Sequence, residues 1–258
     1  PDVNELENPD IYVASEIISS DGVTLGKFEK EKTIPVTYKD LPPHLVYALM
    51  AKEDERFREH SGIDLQAFAR AVAYGGKRGG GSTISQQLAK LLFTKGASQN
   101  KFQRAFQKLK EWSVAVSLEK RYTKEEIIAM YFNTFDFVNN AVGIESASRI
   151  YFNKSPNELK VEEAAMFVGM LQNPSYYNPR RFEQRTRDRR ATVLRKLMEQ
   201  GDITEAQFNE LKDKPIQLDF HPESANDGLA PYFRMVVAEE LKKWAKENKK
   251  QNGEEYNI

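Results

Sequence analysis

The 258-residue sequence predicts a mainly α-helical chain with one small β-hairpin near its N-terminus. Three observations carry this. Residues 11–28 alternate apolar and polar about Ser20-Asp21-Gly22, and Asp-Gly between alternating runs marks a tight hairpin. From Pro42 onward, apolar residues recur at helical spacing, punctuated by capping residues and glycines. With 40% hydrophobic residues, the chain can bury a sizeable core.

The elements follow in order. Residues 11–18 and 23–28 form the two strands. Pro42-Pro43 opens the first helix, where missing amide donors cost nothing. Leu45, Ala48 and Leu49 give that helix its apolar face, and its end delivers Glu53. A short helix spans 65–74 and is broken by Gly75-Gly76 and Gly79-Gly80-Gly81. Residues 82–93 restart a helix behind a Ser or Thr cap. Residues 102–120 form a long amphipathic helix. Thr123-Lys124-Glu125-Glu126 is a capping box that opens the next helix, which runs through Phe132. Residues 161–171 are apolar on most sides and read as a buried helix. Helices follow at 186–200, ending at Gly201, after the capping box Thr204-Glu205-Ala206-Gln207, and at 232–248.

Lysine plus arginine equals aspartate plus glutamate at 38 each, so no global field steers a partner. The balance is local. Residues 101–124 carry seven bases against two acids, and residues 180–196 carry eight against two. Such faces suit phosphates or an anionic membrane surface. With net charge zero and no recognised motif, nucleic acid is not an expected partner. There is no cysteine, which removes disulfides, thiol nucleophiles and thiolate metal sites. No run of about 18 apolar residues is present to span a bilayer.

Chemistry concentrates in three segments. Lys52-Glu53-Asp54-Glu55-Arg56-Phe57 places an acid where an apolar helix ends, a setting that suits a general acid or base and equally a surface charge. His60, with Asp64 close by, is expected to orient the loop that carries Glu53. Gly79-Gly80-Gly81-Ser82-Thr83-Ile84-Ser85-Gln86-Gln87 brings flexible backbone to a helix N-terminus, whose free amides would suit phosphate. It is not a Walker loop, because no Gly-Lys-Ser/Thr follows the glycines. Gln86 and Gln87 can bond sugar hydroxyls, and Lys90 lies one turn beyond Gln86. On the long helix, Lys108 and Glu111 share a face, as an ion pair or as part of a site.

Taken together, these segments resemble the peptidoglycan glycosyltransferases of family 51, the glycan-polymerising domains of class A penicillin-binding proteins and of monofunctional transglycosylases. Five motifs match in order over roughly residues 12–200. They are Glu53-Asp54-Glu55-Arg56-Phe57 with His60, Gly62 and Asp64; Gly80 through Lys90; Lys108-Leu109-Lys110-Glu111 with Leu118-Glu119-Lys120 and Tyr122; Tyr131-Phe132-Asn133 through Gly143-Ile144-Glu145-Ser146-Ala147; and Glu163-Ala164-Ala165 with Gly169, Pro174, Tyr177, Pro179 and Arg189-Arg190. The sequence departs from the family at Gln107, where many members carry arginine, and at Leu91, where asparagine is frequent. Residues 135–140 lack the usual glycine, and Val142 replaces a common tyrosine.

The resemblance implies a lysozyme-like, two-lobed helical domain with a head and a membrane-contacting jaw, the jaw near residues 91–107. Leu91-Leu92-Phe93 and Phe102, with Lys95 and Lys101, are its expected bilayer contacts. It implies residues 1–40 as an N-terminal hairpin and linker, 41–250 as the glycosyltransferase domain, and 251–258 as the entry to a transpeptidase domain outside this sequence. The implied substrates are lipid II and the growing glycan strand, joined by inverting β-1,4 transfer. The implied partners are the membrane surface and cell-wall synthesis proteins, and the implied inhibitor is moenomycin. The implied location is the extracytoplasmic face of the bacterial inner membrane, with tethering by an N-terminal transmembrane helix that is not in this sequence.

By motif position Glu53 is the base and Glu111 the second functional carboxylate. Asp54, Ser82, Thr83, Gln86, Gln87, Lys90, Arg104, Lys108, Asn133 and Glu145 are the implied binding residues. No cofactor is implied as a requirement. A Mg or Mn ion at the pyrophosphate is the one metal the resemblance allows. Two rival readings are a lysozyme-like enzyme that cuts the same glycan and a non-catalytic scaffold that binds lipid II.

Overall fold

The computed structural model describes residues 15–22, 24–28, 35–74, 80–93, 101–222 and 231–248. The chain divides into two compact units. One is Thr33–His221, and the other combines Pro1–Lys32 with Pro222–Ile258.

The smaller unit holds the hairpin. Strands β1 (Ser15–Ile18) and β2 (Thr24–Phe28) pair antiparallel, with Ser15 opposite Phe28 and a register shift between Ile17 and Ile18. Gly22 turns the chain at φ +82°, a conformation glycine adopts without steric cost. Residues 11–14 and 23 of the expected strands lie outside the described residues, as does the expected linker at 251–258. The unit's described helix is Pro231–Glu247.

The larger unit is helical and follows the sequence expectation closely. Its helices are α1 (Pro43–Glu53), α2 (Leu65–Ala73), α3 (Ile84–Phe93), α4 (Lys101–Arg121), α5 (Lys124–Thr134), α6 (Ile144–Phe152), α7 (Val161–Met170), α8 (Glu183–Gln200) and α9 (Glu205–Leu211). The capping boxes predicted at Thr123 and Thr204 both form. Helices α1, α7 and α8 pack on one another, and α3 packs on α4 and α5. Leu45, Leu49, Phe132, Phe167, Val193 and Leu197 are among the fully buried core residues.

Helix α6 is not anticipated from the sequence. It is only nine residues long and opens at Gly143 with no side-chain cap, so neither length nor cap chemistry announces it, although eight of its nine residues are buried. Its bounds are set by backbone geometry, with Gly143 at φ +80° before it and Asn153 in the left-handed region after it. The preceding loop runs through Val138, Asn139 and Asn140, all at positive φ. Asparagine tolerates that region and β-branched valine does not, so Val138 stores local strain in this loop. Asp136 and Val142 close the loop with an isolated bridge.

Two long-range ties hold the helices of this unit together. Arg190 is 2% exposed, and its guanidinium donates to the carbonyls of Leu211, Lys212 and Lys214, occupying acceptors that the end of α9 leaves open. His44 on α1 donates through Nε2 to the Leu159 carbonyl at 2.7 Å, just before α7. Burial pushes the His44 pKa below its ordinary 6.5, against the opposing pull of the Leu159 carbonyl, Glu162 and Glu163. The unfolded chain therefore binds this proton more readily than the folded one. The tie's contribution is present above pH 6.5 and is lost as pH falls through the lower folded value. Thermal melts from pH 7.5 down to about pH 5 should show a smaller decline in Tm for His44→Gln than for the wild type.

Candidate active site

The end of α1 delivers Glu53 and Asp54 in opposite directions. Glu53 is half-buried, and its Oε2 accepts from Gln87 Nε2 on α3 at 2.9 Å. The other face of the Gln87 amide accepts from the Tyr131 hydroxyl on α5 at 2.9 Å. Asp54 turns inward, 7% exposed, and accepts from His60 Nε2 at 2.9 Å and from the Ile84 backbone amide at 3.0 Å. The Gly62 amide donates to His60 Nδ1 at 3.2 Å, so Nε2 carries the proton. The expected role of His60 in holding this loop thus has a concrete path, through Asp54 to the start of α3.

That path changes the reading of the α3 N-terminus. Asp54 occupies the Ile84 amide, and Thr83 Oγ1 accepts from the Gln86 amide at 3.2 Å. These amides are already capped from inside and are not free for a phosphate. Thr83 itself donates to the Gly62 carbonyl at 2.7 Å. Gly62 sits at φ +92°, and a Cβ there would meet the Ala115 backbone at 2.9 Å, so only glycine lets the loop lie against α4. Lys124 completes the support by donating to the His60 carbonyl at 2.6 Å and to Glu119 at 2.7 Å, while Glu119 accepts from Ser85.

Across from Glu53, Lys108 on α4 donates to Ser82 Oγ at 2.9 Å and to Glu111 Oε2 at 3.1 Å. Glu111 is 9% exposed, so its carboxylate is largely withdrawn from water and relies on that cation. These groups line a cleft of about 720 Å³. Gly80 also lines it, and a Cβ there would meet nothing within 4 Å, so backbone is presented to an open space.

Of the residues singled out from the sequence, the cleft collects Glu53, Ser82, Gln86, Gln87, Lys90, Arg104, Lys108 and Glu111. Four others are not among its lining residues. Asp54 and Thr83 cap α3 from within, as above. Asn133 clamps the Val36 backbone with two 2.9 Å bonds, one through Nδ2 and one through Oδ1. Glu145 is 7% exposed and pairs with Arg149 one turn along α6. The physical reason is common to all four, because each satisfies buried backbone groups or a buried charge that would otherwise lack a partner. Asp54→Asn should therefore lower Tm by several degrees while leaving the cleft residues in place. Thermal melts, with circular dichroism of the folded variant, check this.

The cleft also includes Lys52, Tyr131, Gln172 and Arg189, which sequence reasoning did not select as site residues. Arg189 and Tyr131 lay inside matched motifs, which was the available signal. Burial pushes the Lys52 amine below its ordinary value, reinforced by Arg189 and opposed by Glu53.

The family model described as Transglycosylase matches residues 21–198. The chain belongs to the transglycosylase family. Penicillin-binding protein 1A of Escherichia coli (strain K12) is 33% identical over 246 residues, covering 93% of this chain and 28% of that protein. Penicillin-binding protein 1A of Aquifex aeolicus (strain VF5) is 35% identical over 220 residues, covering 84% of this chain and 30% of that protein. The chain thus spans roughly 30% of the length of these curated relatives. Among solved structures, Penicillin-Binding Protein 1A from Haemophilus influenzae matches with a TM-score of 0.50 and 19% identity, over 94% of this chain and 25% of that one. That likeness bears on the fold, and it agrees with a mostly helical transglycosylase domain.

Proposed function

We propose that this transglycosylase domain polymerises lipid II into β-1,4 glycan strands with inversion. The observation that carries the reading is one cleft with a carboxylate at one wall and a cation–carboxylate cluster at another. Glu53 removes the proton from the acceptor 4-hydroxyl as that oxygen attacks the anomeric carbon of the growing strand. The anomeric C–O bond breaks, and undecaprenyl pyrophosphate departs with the electron pair. Lys108, with Lys90 and Arg104 lining the same cleft, meets the developing negative charge. Glu111 holds Lys108 in place, and Ser82 fixes its other side.

The donor set does not suit a resident metal. Glu111 already pairs with Lys108, and among the described residues no group of three or more His, Asp or Glu side chains could hold an ion. A Mg or Mn ion would arrive with the pyrophosphate, and no step above is routed through it.

Exposed apolar residues support contact with a membrane, where a prenyl-linked substrate resides. Leu65, Phe68 and Val72 share one face of α2, and Leu65 and Val72 are 69% and 66% exposed. Phe106 and Leu109 on α4 are each 60% exposed. Phe68 meets Trp112 edge to face at 5.1 Å, which joins the two faces. Leu91 is exposed as well. The expected contacts at Lys95 and at the Lys101 and Phe102 side chains lie outside the described residues. Among those described, no helix is long and apolar enough to cross a membrane. This reading places the domain at the extracytoplasmic face of the bacterial inner membrane, working beside other cell-wall synthesis proteins.

Two substrates offered separately test the proposal. Labelled lipid II in detergent should yield glycan polymer, blocked by moenomycin. Finished glycan strands should remain uncut. Strand cleavage would overturn the proposal in favour of a hydrolase, and tight lipid II binding without polymer would favour a scaffold.

A further inference from the structure

Between α3 and α5 lies a relay that the mechanism above does not use. Tyr131 is 1% exposed, with its ring held edge to face against Phe132 at 6.0 Å and stacked on Phe135 at 6.1 Å. Its hydroxyl reaches Gln87 Oε1 at 2.9 Å, and Gln87 Nε2 reaches Glu53 Oε2 at 2.9 Å. A carboxamide has one accepting end and one donating end. Turned by half a rotation, it would aim its carbonyl oxygen at the carboxylate and lose the bond. The phenol is what engages the accepting end. Burial, reinforced by the charge on Glu53, pushes the Tyr131 pKa upward, so its proton stays available to donate.

We propose that Tyr131 is a positioning residue for the reaction, acting through the Gln87 amide to hold the Glu53 carboxylate in a single orientation toward the cleft. The proposal rests on the reading of Glu53 as the base. The logic is the same as for any base whose partner is itself oriented by a third group. A carboxylate aimed by a fixed donor spends more time at the geometry proton abstraction needs. Without the hydroxyl, Gln87 Oε1 loses its protein donor at the half-buried wall of the cleft and the amide is free to turn.

The test is a double-mutant cycle on lipid II polymerisation using Tyr131→Phe, Gln87→Met and the double variant. Phenylalanine keeps the ring and its packing, and thermal melts confirm folding. If Tyr131→Phe melts early, Gln87→Met supplies the comparison from the other partner, since it leaves the Tyr131 ring untouched. Tyr131→Phe alone should lower kcat about tenfold, with KM within about twofold. In the Gln87→Met background the same change should cost less than about twofold, because a residue acting only through Gln87 has nothing left to orient. Losses that multiply in the double variant would overturn the relay, as would unchanged kcat in Tyr131→Phe. Glu53→Gln run alongside separates the two claims. An active Glu53→Gln overturns the base assignment and the relay together, whereas an inactive one with multiplying losses overturns the relay alone.

Discussion

Glu53→Gln should lower kcat for glycan polymerisation by about 10²–10⁴-fold while leaving lipid II binding within about threefold of wild type. The substitution keeps the side chain's size and its capacity to accept from Gln87 Nε2. It removes only the ability to take a proton. The acceptor hydroxyl is a weak nucleophile until that proton leaves, so the loss falls on the chemical step and not on binding. Initial rates with labelled lipid II, together with equilibrium binding, separate the two terms. A variant within tenfold of wild type would mean that another group takes the proton.

Lys108→Met should have the second largest effect, a fall in kcat of about 10²–10³-fold, the range seen when one preorganised donor to a developing charge is removed. Two consequences combine. The cation nearest Ser82 and Glu111 disappears from the cleft, and Glu111 is left largely buried without its partner. Lys108→Arg should recover part of the rate, since it restores the charge while its planar fork fits the Ser82–Glu111 gap less well. Steady-state rates for both variants check this. Equal losses in Met and Arg would point to geometry, and no loss in Met would remove Lys108 from charge stabilisation.

The helices were legible in the sequence wherever a cap or a polar face announced them, as at Thr123, Thr204 and the amphipathic run of α4. Helix α6 was hidden because it is short and begins at Gly143 without a capping side chain, so no start signal marks it. The candidate-site segments were legible as motifs, but a motif does not say which way a side chain points. Glu53 and Asp54 are neighbours with the same chemistry, yet one lines the cleft and the other caps α3 from behind. Thr83 and Ser82 divide in the same manner, with Thr83 bonding Gly62 and Ser82 bonding Lys108. Arg189 reaches the cleft only because α8 packs against α1 and α7, a long-range contact no local pattern encodes. The sequence marked α2 only as a short helix, and packing is what leaves Leu65 and Val72 uncovered.

The most direct test of the central claim is a sizing gel of the products formed from labelled lipid II by the wild type and by Glu53→Gln. Long glycan strands are expected from the wild type and unreacted lipid II from the variant. Polymer of equal length and yield from both would contradict the claim.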